Sequence, residues 1–512
     1  MLANNHKRIL RNTAMLYMRM LLAMAVTLYT SRVVLDVLGV EDFGIYHVVA
    51  GFVALLGFMQ GAMTSATQRY FAFDLGESGG KNLNRIFNTS LLIHALLALL
   101  IALVAETAGY WFVANQLTIP DERMAAALWA YHLAIASFAI SVITVPFTAM
   151  MMAHERMGIF SLIGMLDVLL KLAAVILLQF LQSDKLITYA GLLLLVTLTT
   201  LVLYIAVNKM LFRQIKLRLQ WHKQQFRTML SYTAWNTWGN LASALSTQGS
   251  NILLNIFFGP AVNAGRSISL QANGALNNFI INVQAAINPQ IIKLYASGEK
   301  AAMHRLVFQA SKYNFFILFT LALPVLLNTQ ILLDTWLVDA PPYTAIFLQL
   351  TIIASLIEAF ASPLMTSAQA TGHIRAYQTI IGGMLLLTLP ITYILLTKWS
   401  KAEMAIYVII GIGLAAFIAR LIILKFLISL DIKAYAASVL ARSFITAAAV
   451  TTINLLLNMP VADSFLQLCI NTVTSCSLAV LGIFTLGLNN EERRAASLLA
   501  IKLKNKILTG QR

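Results

Sequence analysis

Of 512 residues, 59% are hydrophobic and only 11% are charged, with a formal net charge of +16. A soluble domain carries about 25% charged residues, so soluble enzymes and soluble nucleic-acid-binding proteins are excluded. The apolar residues come in continuous blocks rather than alternating with polar ones, which excludes a β-barrel. The expected fold class is an all-α polytopic membrane protein.

The first apolar run follows the basic stretch HKRILRN, carries Arg19 and continues to about residue 38. That is too long for the h-region of a cleavable signal. Further runs recur down the chain, and about fourteen spans are predicted. They lie near 10–37, 44–74, 83–106, 122–153, 157–181, 186–212, 224–257, 261–298, 302–325, 342–371, 375–397, 402–429, 435–457 and 462–487. Pro146, Pro289, Pro324, Pro363 and Pro390 fall inside spans, where the missing N–H predicts kinks. Cys469 and Cys476 read as small packed hydrophobes, not as a disulfide or metal pair. The tail EERRAASLLAIKLKNKIL is basic and amphipathic, suited to a membrane surface. No loop is long enough to hold a catalytic domain, so neither enzyme activity nor a bound cofactor is expected.

An even number of spans puts both termini on one side. Lys and Arg crowd the loops of that side, from Lys7, Arg8 and Arg11 to the tail, while the other side has Arg123, Lys185, Arg266, Lys398 and Lys401. The positive-inside rule makes the termini cytoplasmic. Most of the net charge is this bias, so no nucleic-acid partner is needed to explain it.

Shifting the chain by about 220 residues aligns LRNTA (10–14) with LSYTA (230–234), and QRYFAFDLGESG (68–79) with NPQIIKLYASGE (288–299). Parallel repeats of this kind give two bundles facing a shared cavity. The expected organisation is a six-helix bundle over 1–212, a basic linker over 213–223, a second bundle over 224–429, two further spans over 430–488 and a cytoplasmic tail over 489–512.

Several stretches carry a family resemblance. TLYTSRVVLDVLGVEDFGIYHVVAGFVALLGFMQGAMTSATQRYFAFDLG (27–76), IPDERMAAALWAYHLAIASF (119–138), VPFTAMMMAHERM (145–157) and PPYTAIFLQLTII (341–353) resemble the Wzx-like polysaccharide flippases. These belong to the multidrug/oligosaccharidyl-lipid/polysaccharide exporter superfamily. The resemblance covers the full length. It implies two six-helix bundles in a V with two added helices, in the bacterial inner membrane. It also implies transfer of an undecaprenyl-diphosphate-linked oligosaccharide to the outer face for surface polysaccharide synthesis. Membrane lipids, a polysaccharide polymerase and chain-length proteins are the implied partners. A cation-coupled multidrug exporter and a peptidoglycan-precursor (lipid II) flippase of the same superfamily remain as alternatives, and H+ or Na+ coupling stays open.

Charges within spans cost about 2.5–3.5 kcal/mol each on insertion scales. Asp167 and Lys171 straddle the middle of the fifth span, four residues apart, so they share a helix face and can pair. Arg19 has no acid four residues away on either side, and its planar fork suits a diphosphate; snorkelling is the competing reading. Arg32, Arg69 and Arg266 are further cationic candidates nearer the span ends. Glu358 is central in the tenth span without a local partner, a candidate for coupling or gating beside Asp167. Asn236, Asn240, Ser243, Thr247 and Asn251 form one helical stripe, Asn277, Gln284 and Asn288 a second, and Gln60, Thr64 and Gln68 a third. Such stripes join helices or line a wet cavity; Asn236, Asn240 and Thr247 are taken as sugar contacts.

Overall fold

Inside lipid every backbone N–H needs a carbonyl of its own segment, which leaves the helix as the available element for these apolar runs. The structure, a computed structural model, describes residues 2–54, 57–116, 119–216, 222–336, 341–457, 464–494 and 497. Among them every regular element is helical. Some helical residues, Arg32 and His47 included, are described by their backbone alone; the candidate contacts of Arg32 therefore lie outside the described residues, as does most of the basic tail.

Helix α1 (Leu2–Ala54) is broken at Gly39, whose φ of 74° and ψ of 168° suit a residue without Cβ. Helix α2 (Gly57–Glu77) ends in a turn tied by buried Asp74, which accepts from the Ser78 hydroxyl at 2.7 Å and from the Asn82 backbone N–H at 3.0 Å. Helix α3 (Leu83–Val104) runs through a π-helical turn into α4 (Tyr110–Gln116). Helices α5 (Asp121–Ala153), α6 (Met157–Phe180) and α7 (Lys185–Leu211) follow, then α8 (Lys223–Ala296) and α9 (Lys300–Leu327). After α10 (Thr329–Trp336) come α11 (Thr344–Thr371), α12 (Arg375–Leu386), α13 (Thr388–Trp399) and α14 (Met404–Ile428). Helix α15 (Ile432–Tyr435) leads by a second π turn into α16 (Arg442–Leu457), and α17 (Ser464–Gly482) is the last.

The run predicted as one span at 375–397 is one apolar stretch, Arg375–Trp399, kinked at Leu387 between α12 and α13. Pro390 has no N–H to give the carbonyl of Leu386, the last residue of α12, so the helix ends there.

Among the described residues, ten helical stretches are long and apolar enough to cross a membrane. The chain is a multi-pass helical membrane protein. The count of about fourteen spans also needs α1, α2 and two spans within the 74-residue α8, which are more polar; α2 and α8 carry the Asn, Gln and Thr stripes.

Two compact units form, with boundaries other than the expected sequence halves. The first comprises Met1–Ala244, Ala285–Met303 and Thr366–Gly382; the second comprises Leu245–Gln284, His304–Met365 and Gly383–Arg512. Helix α8 leaves the first unit after Ala244 and returns at Ala285. Polar anchors explain why the later segments belong to the first unit. Buried Glu155, in the turn between α5 and α6, accepts Lys293 Nζ at 2.6 Å and the Gln290 amide. Asn236 donates to the Ala62 carbonyl at 3.2 Å and accepts from Gln369 and Gln378 at 3.2 and 3.1 Å. Around these anchors lies a core of Leu16, Phe71, Phe87, Phe147, Met150, Met157 and Ile292. The second unit has separate apolar clusters, one of Leu254, Phe347 and Ile406 and another of Ala322, Leu333 and Ile352.

A staple closes the other end of the first unit. Arg123 gives Nε and Nη2 to the two oxygens of Asp42, at 2.8 and 2.6 Å, and Nη1 to Asp184 at 2.7 Å. Asp184 also caps α7 through the N–H groups of Leu186 and Ile187, at 3.0 and 3.1 Å. The hydrogen bond from Arg123 holds Asp184 below the usual carboxylate range. A carboxylate with a depressed value stabilises the fold above the ordinary Asp range, and this contribution fades as pH falls through the depressed value. Thermal unfolding in detergent should therefore show a loss of melting temperature below about pH 4 that is smaller in Asp184→Asn than in the wild type. Equal acid slopes for the two proteins would remove the staple from the stability of this end.

Candidate substrate site

Helix α6 presents Phe160, Gly164, Asp167 and Lys171 at steps of four, three and four, which is one helical face. The expected pair is formed: Lys171 Nζ lies 2.8 Å from Asp167 Oδ2. Thr200 of α7 donates its hydroxyl to Asp167 Oδ1 at 3.0 Å, so the second carboxylate oxygen is also satisfied. The Lys171 and Asp167 side chains remain 48% and 23% exposed. The pair is therefore not sealed within the helix packing.

Arg19 of α1 joins this face from across the helix contact. Its guanidinium carbon stands 4.7 Å from the centre of the Phe160 ring, a cation–π contact worth about 0.5–2 kcal/mol. Its stem lies in the notch at Gly164, where a Cβ would come within 2.6 Å of Arg19 Cδ. Tyr204 of α7 and Asp167 are close enough to act on its charge, yet Arg19 forms no ion pair with a described residue. The cluster thus holds two cations and one carboxylate, with one planar set of N–H donors not bound to an acid. A cluster of this charge can attract an anion of more than one charge, for which the Lys171–Asp167 pair would have to open.

If the pair acts in this way, Asp167→Asn alone and Asp167→Asn/Lys171→Met should both insert, and both should lose transport. A double variant that transports normally would show the pair to be structural only.

The remaining candidates are placed as follows. Arg69 is buried, with Nε on the Gln369 carbonyl at 3.2 Å and Nη2 on the Ala370 carbonyl at 3.1 Å. The rings of Tyr70, Phe73 and Tyr232 surround it at 4.9, 4.7 and 5.3 Å. It caps the last turn of α11, where helix carbonyls lack partners, instead of facing a ligand. Arg266 is buried within the second unit. Its Nη1 meets the Thr351 hydroxyl at 2.5 Å, and its Nε has no partner.

Glu358, without a partner on its own helix, has one 62 residues away. Arg420 of α14, not among the candidates above, gives Nη1 to it at 2.9 Å, with side chains 56% exposed for Glu358 and 6% for Arg420. The signal was present in AFIARLII, an arginine within an apolar run. The stripe on α8 is divided in role. Asn236 binds neighbouring helices through every polar atom and is interhelical glue, while Asn251 is taken by Gln248 at 3.1 Å. Asn240 and Thr247 are half-buried and already have polar or aromatic partners. On the second stripe Asn277 donates to Ser355 at 3.2 Å, beside Asn273 one turn earlier at 2.9 Å, and Asn288 accepts from Thr366 at 3.1 Å.

No family model and no curated protein matches the chain. Solved structures do. A multidrug resistance MATE family transporter of the MOP superfamily, in an outward-facing conformation, aligns with a TM-score of 0.71 at 14% identity, over 83% of this chain and 96% of that one. The fold is MATE-like. MATE in the straight conformation gives 0.71 at 15% identity, with the same coverage of 83% and 96%. A MOP superfamily transporter from Pyrococcus furiosus Vc1, whose binding pocket of reverse polarity suggests a different function, gives 0.70 at 14%, over 83% and 96%. Identities this low carry the MATE-like fold to this chain and leave the cargo to be argued from its own residues.

Proposed function

We propose that this protein is a membrane transporter that moves an undecaprenyl-diphosphate-linked oligosaccharide from the cytoplasmic to the outer face of the bacterial inner membrane. The observation that carries the reading is the surplus of cations at Arg19, Asp167 and Lys171 within a MATE-like fold. A diphosphate needs donors and positive charge once it leaves water, and a guanidinium with an ammonium a few turns away supplies both. For the Pyrococcus furiosus protein, reversed pocket polarity is what suggests a different function; the sign of the charge is used here in the same way. The sequence resemblance to Wzx-like flippases points to the same cargo. Cytoplasmic termini, and work alongside a polysaccharide polymerase and chain-length proteins, complete the proposal.

A drug-exporter reading draws on Asp167, a partly exposed mid-span carboxylate that could hold a proton, a sodium ion or a cationic drug. It has less support, because Asp167 is held by Lys171 and Thr200 and Glu358 by Arg420. The two readings separate in one experiment. Expressed in a strain stripped of its own flippases and drug exporters, the chain should restore surface polymer without raising resistance to cationic dyes. Dye resistance with no polymer would reverse the order.

A further inference from the structure

The first unit contains an open cup of about 380 Å3 that the transport site does not use. One wall is the start of α8, with Arg227, Thr228 and Ser231, and the other is the 372–375 turn with His373 and Arg375. Tyr232 and Ile374 are buried beneath it, while Arg227, His373 and Arg375 are exposed. The floor is fixed: the Tyr70 hydroxyl donates to the Thr228 carbonyl at 3.2 Å and the Tyr232 hydroxyl to the Gln369 carbonyl at 3.2 Å. The basic groups are not fixed in this way. No hydrogen bond or ion pair joins the side chains of Arg227, His373 or Arg375 to a described residue, and no carboxylate lines the cup. Arg375 rests its guanidinium 5.3 Å from the centre of the Trp235 ring, which orients the flat face and leaves the N–H edges for a ligand.

Charge on this side is expected from topology alone, since positive loops stay inside. Topology, however, requires neither a concave wall, nor an aromatic floor, nor the absence of acids. We infer that the cup is a binding site for a phosphate-bearing head group at the membrane surface. The head group could come from an anionic phospholipid or from a lipid-linked diphosphate waiting outside the transport path. Two guanidinium forks match phosphate oxygens, and the tyrosines and Trp235 suit the boundary between head groups and acyl chains. The inference rests on the cup itself and not on the identity of the transported cargo.

The test uses the full-length protein in detergent. Inorganic pyrophosphate is titrated by thermophoresis, and retention of phosphatidylglycerol against phosphatidylcholine is read by native mass spectrometry. Arg227→Gln/Arg375→Gln should weaken binding at least about tenfold, as expected for the loss of charge-assisted hydrogen bonds. Lys209→Gln/Lys300→Gln, basic residues outside the cup, should bind as the wild type does. Arg227→Lys/Arg375→Lys should retain part of the affinity, which separates a binding defect from a folding defect. Phosphatidylglycerol bound without pyrophosphate would assign the site to a phospholipid head group. Pyrophosphate bound and competing with the lipid would assign it to the phosphate itself. Binding of neither probe, or a Gln double variant that binds like the wild type at an unchanged melting temperature, overturns the inference.

Discussion

Arg19→Ala should abolish export of surface polymer while protein level and insertion stay normal. On the proposed function, the cargo's diphosphate must shed water as it leaves the inner interface, and its oxygens then need donors. Hydrogen bonds to charged groups contribute about 1.5–3 kcal/mol each. Two from one guanidinium therefore offset at least about 3 kcal/mol, roughly a hundredfold in rate. Arg19→Lys keeps the charge but not the fork, so it should retain only part of the activity. Because the Arg19 stem packs on Phe160 and fills the notch at Gly164, Arg19→Ala also opens space between α1 and α6. Arg19→Met keeps most of that packing and should be as inactive as Arg19→Ala with a melting temperature nearer the wild type. Polymer restored by Arg19→Ala in a strain with no other flippase would leave Arg19 with a purely structural position.

The largest stability effect is expected at Lys312 and Glu492. The two form an ion pair inside the second unit, with side chains only 4% and 3% exposed. Glu492 also accepts from the Asn489 backbone N–H at 2.8 Å, while Asn489 Oδ1 accepts from the Glu492 N–H at 2.8 Å. This reciprocal pair is a capping box that starts the C-terminal helical segment, and Lys312 pins it against α9. Removing one partner of a buried pair costs about 3–5 kcal/mol, because the other is left charged without solvent. Glu492→Gln should therefore unfold at much lower temperature in detergent. Lys312→Met/Glu492→Gln should recover most of the loss, since Gln still serves the capping box and Met fills the space of the lysine stem. If Glu492→Gln alone melts like the wild type, the pair contributes nothing net, and the tail is held by other contacts.

Several of these features were legible in the sequence because they are local. Long continuous apolar blocks with charges at their ends determined a helical, multi-pass chain, since only helices and closed barrels satisfy their backbone hydrogen bonds in lipid and a barrel would need alternating residues. The spacing of Asp167 and Lys171 determined their pairing, since a helix places residues four apart on one face. Arg19 stood out because the sequence offers it no acid one turn away.

Tertiary structure decided the rest. Periodicity says which face of a helix is polar but not what that face meets. A stripe such as Asn236 to Asn251 reads the same whether it lines water or ties helices, and only packing showed Asn236 bound on both sides of its amide. Arg69 reads as a cation near a span end in the sequence, and only the arrival of the α11 C-terminus makes it a cap. The partners of Glu358 and Lys312 lie 62 and 180 residues away, beyond any helical repeat. Pairing at such distances depends on how each helix is rotated and placed against its neighbours, which is set by side-chain packing across the whole unit and not by the local pattern.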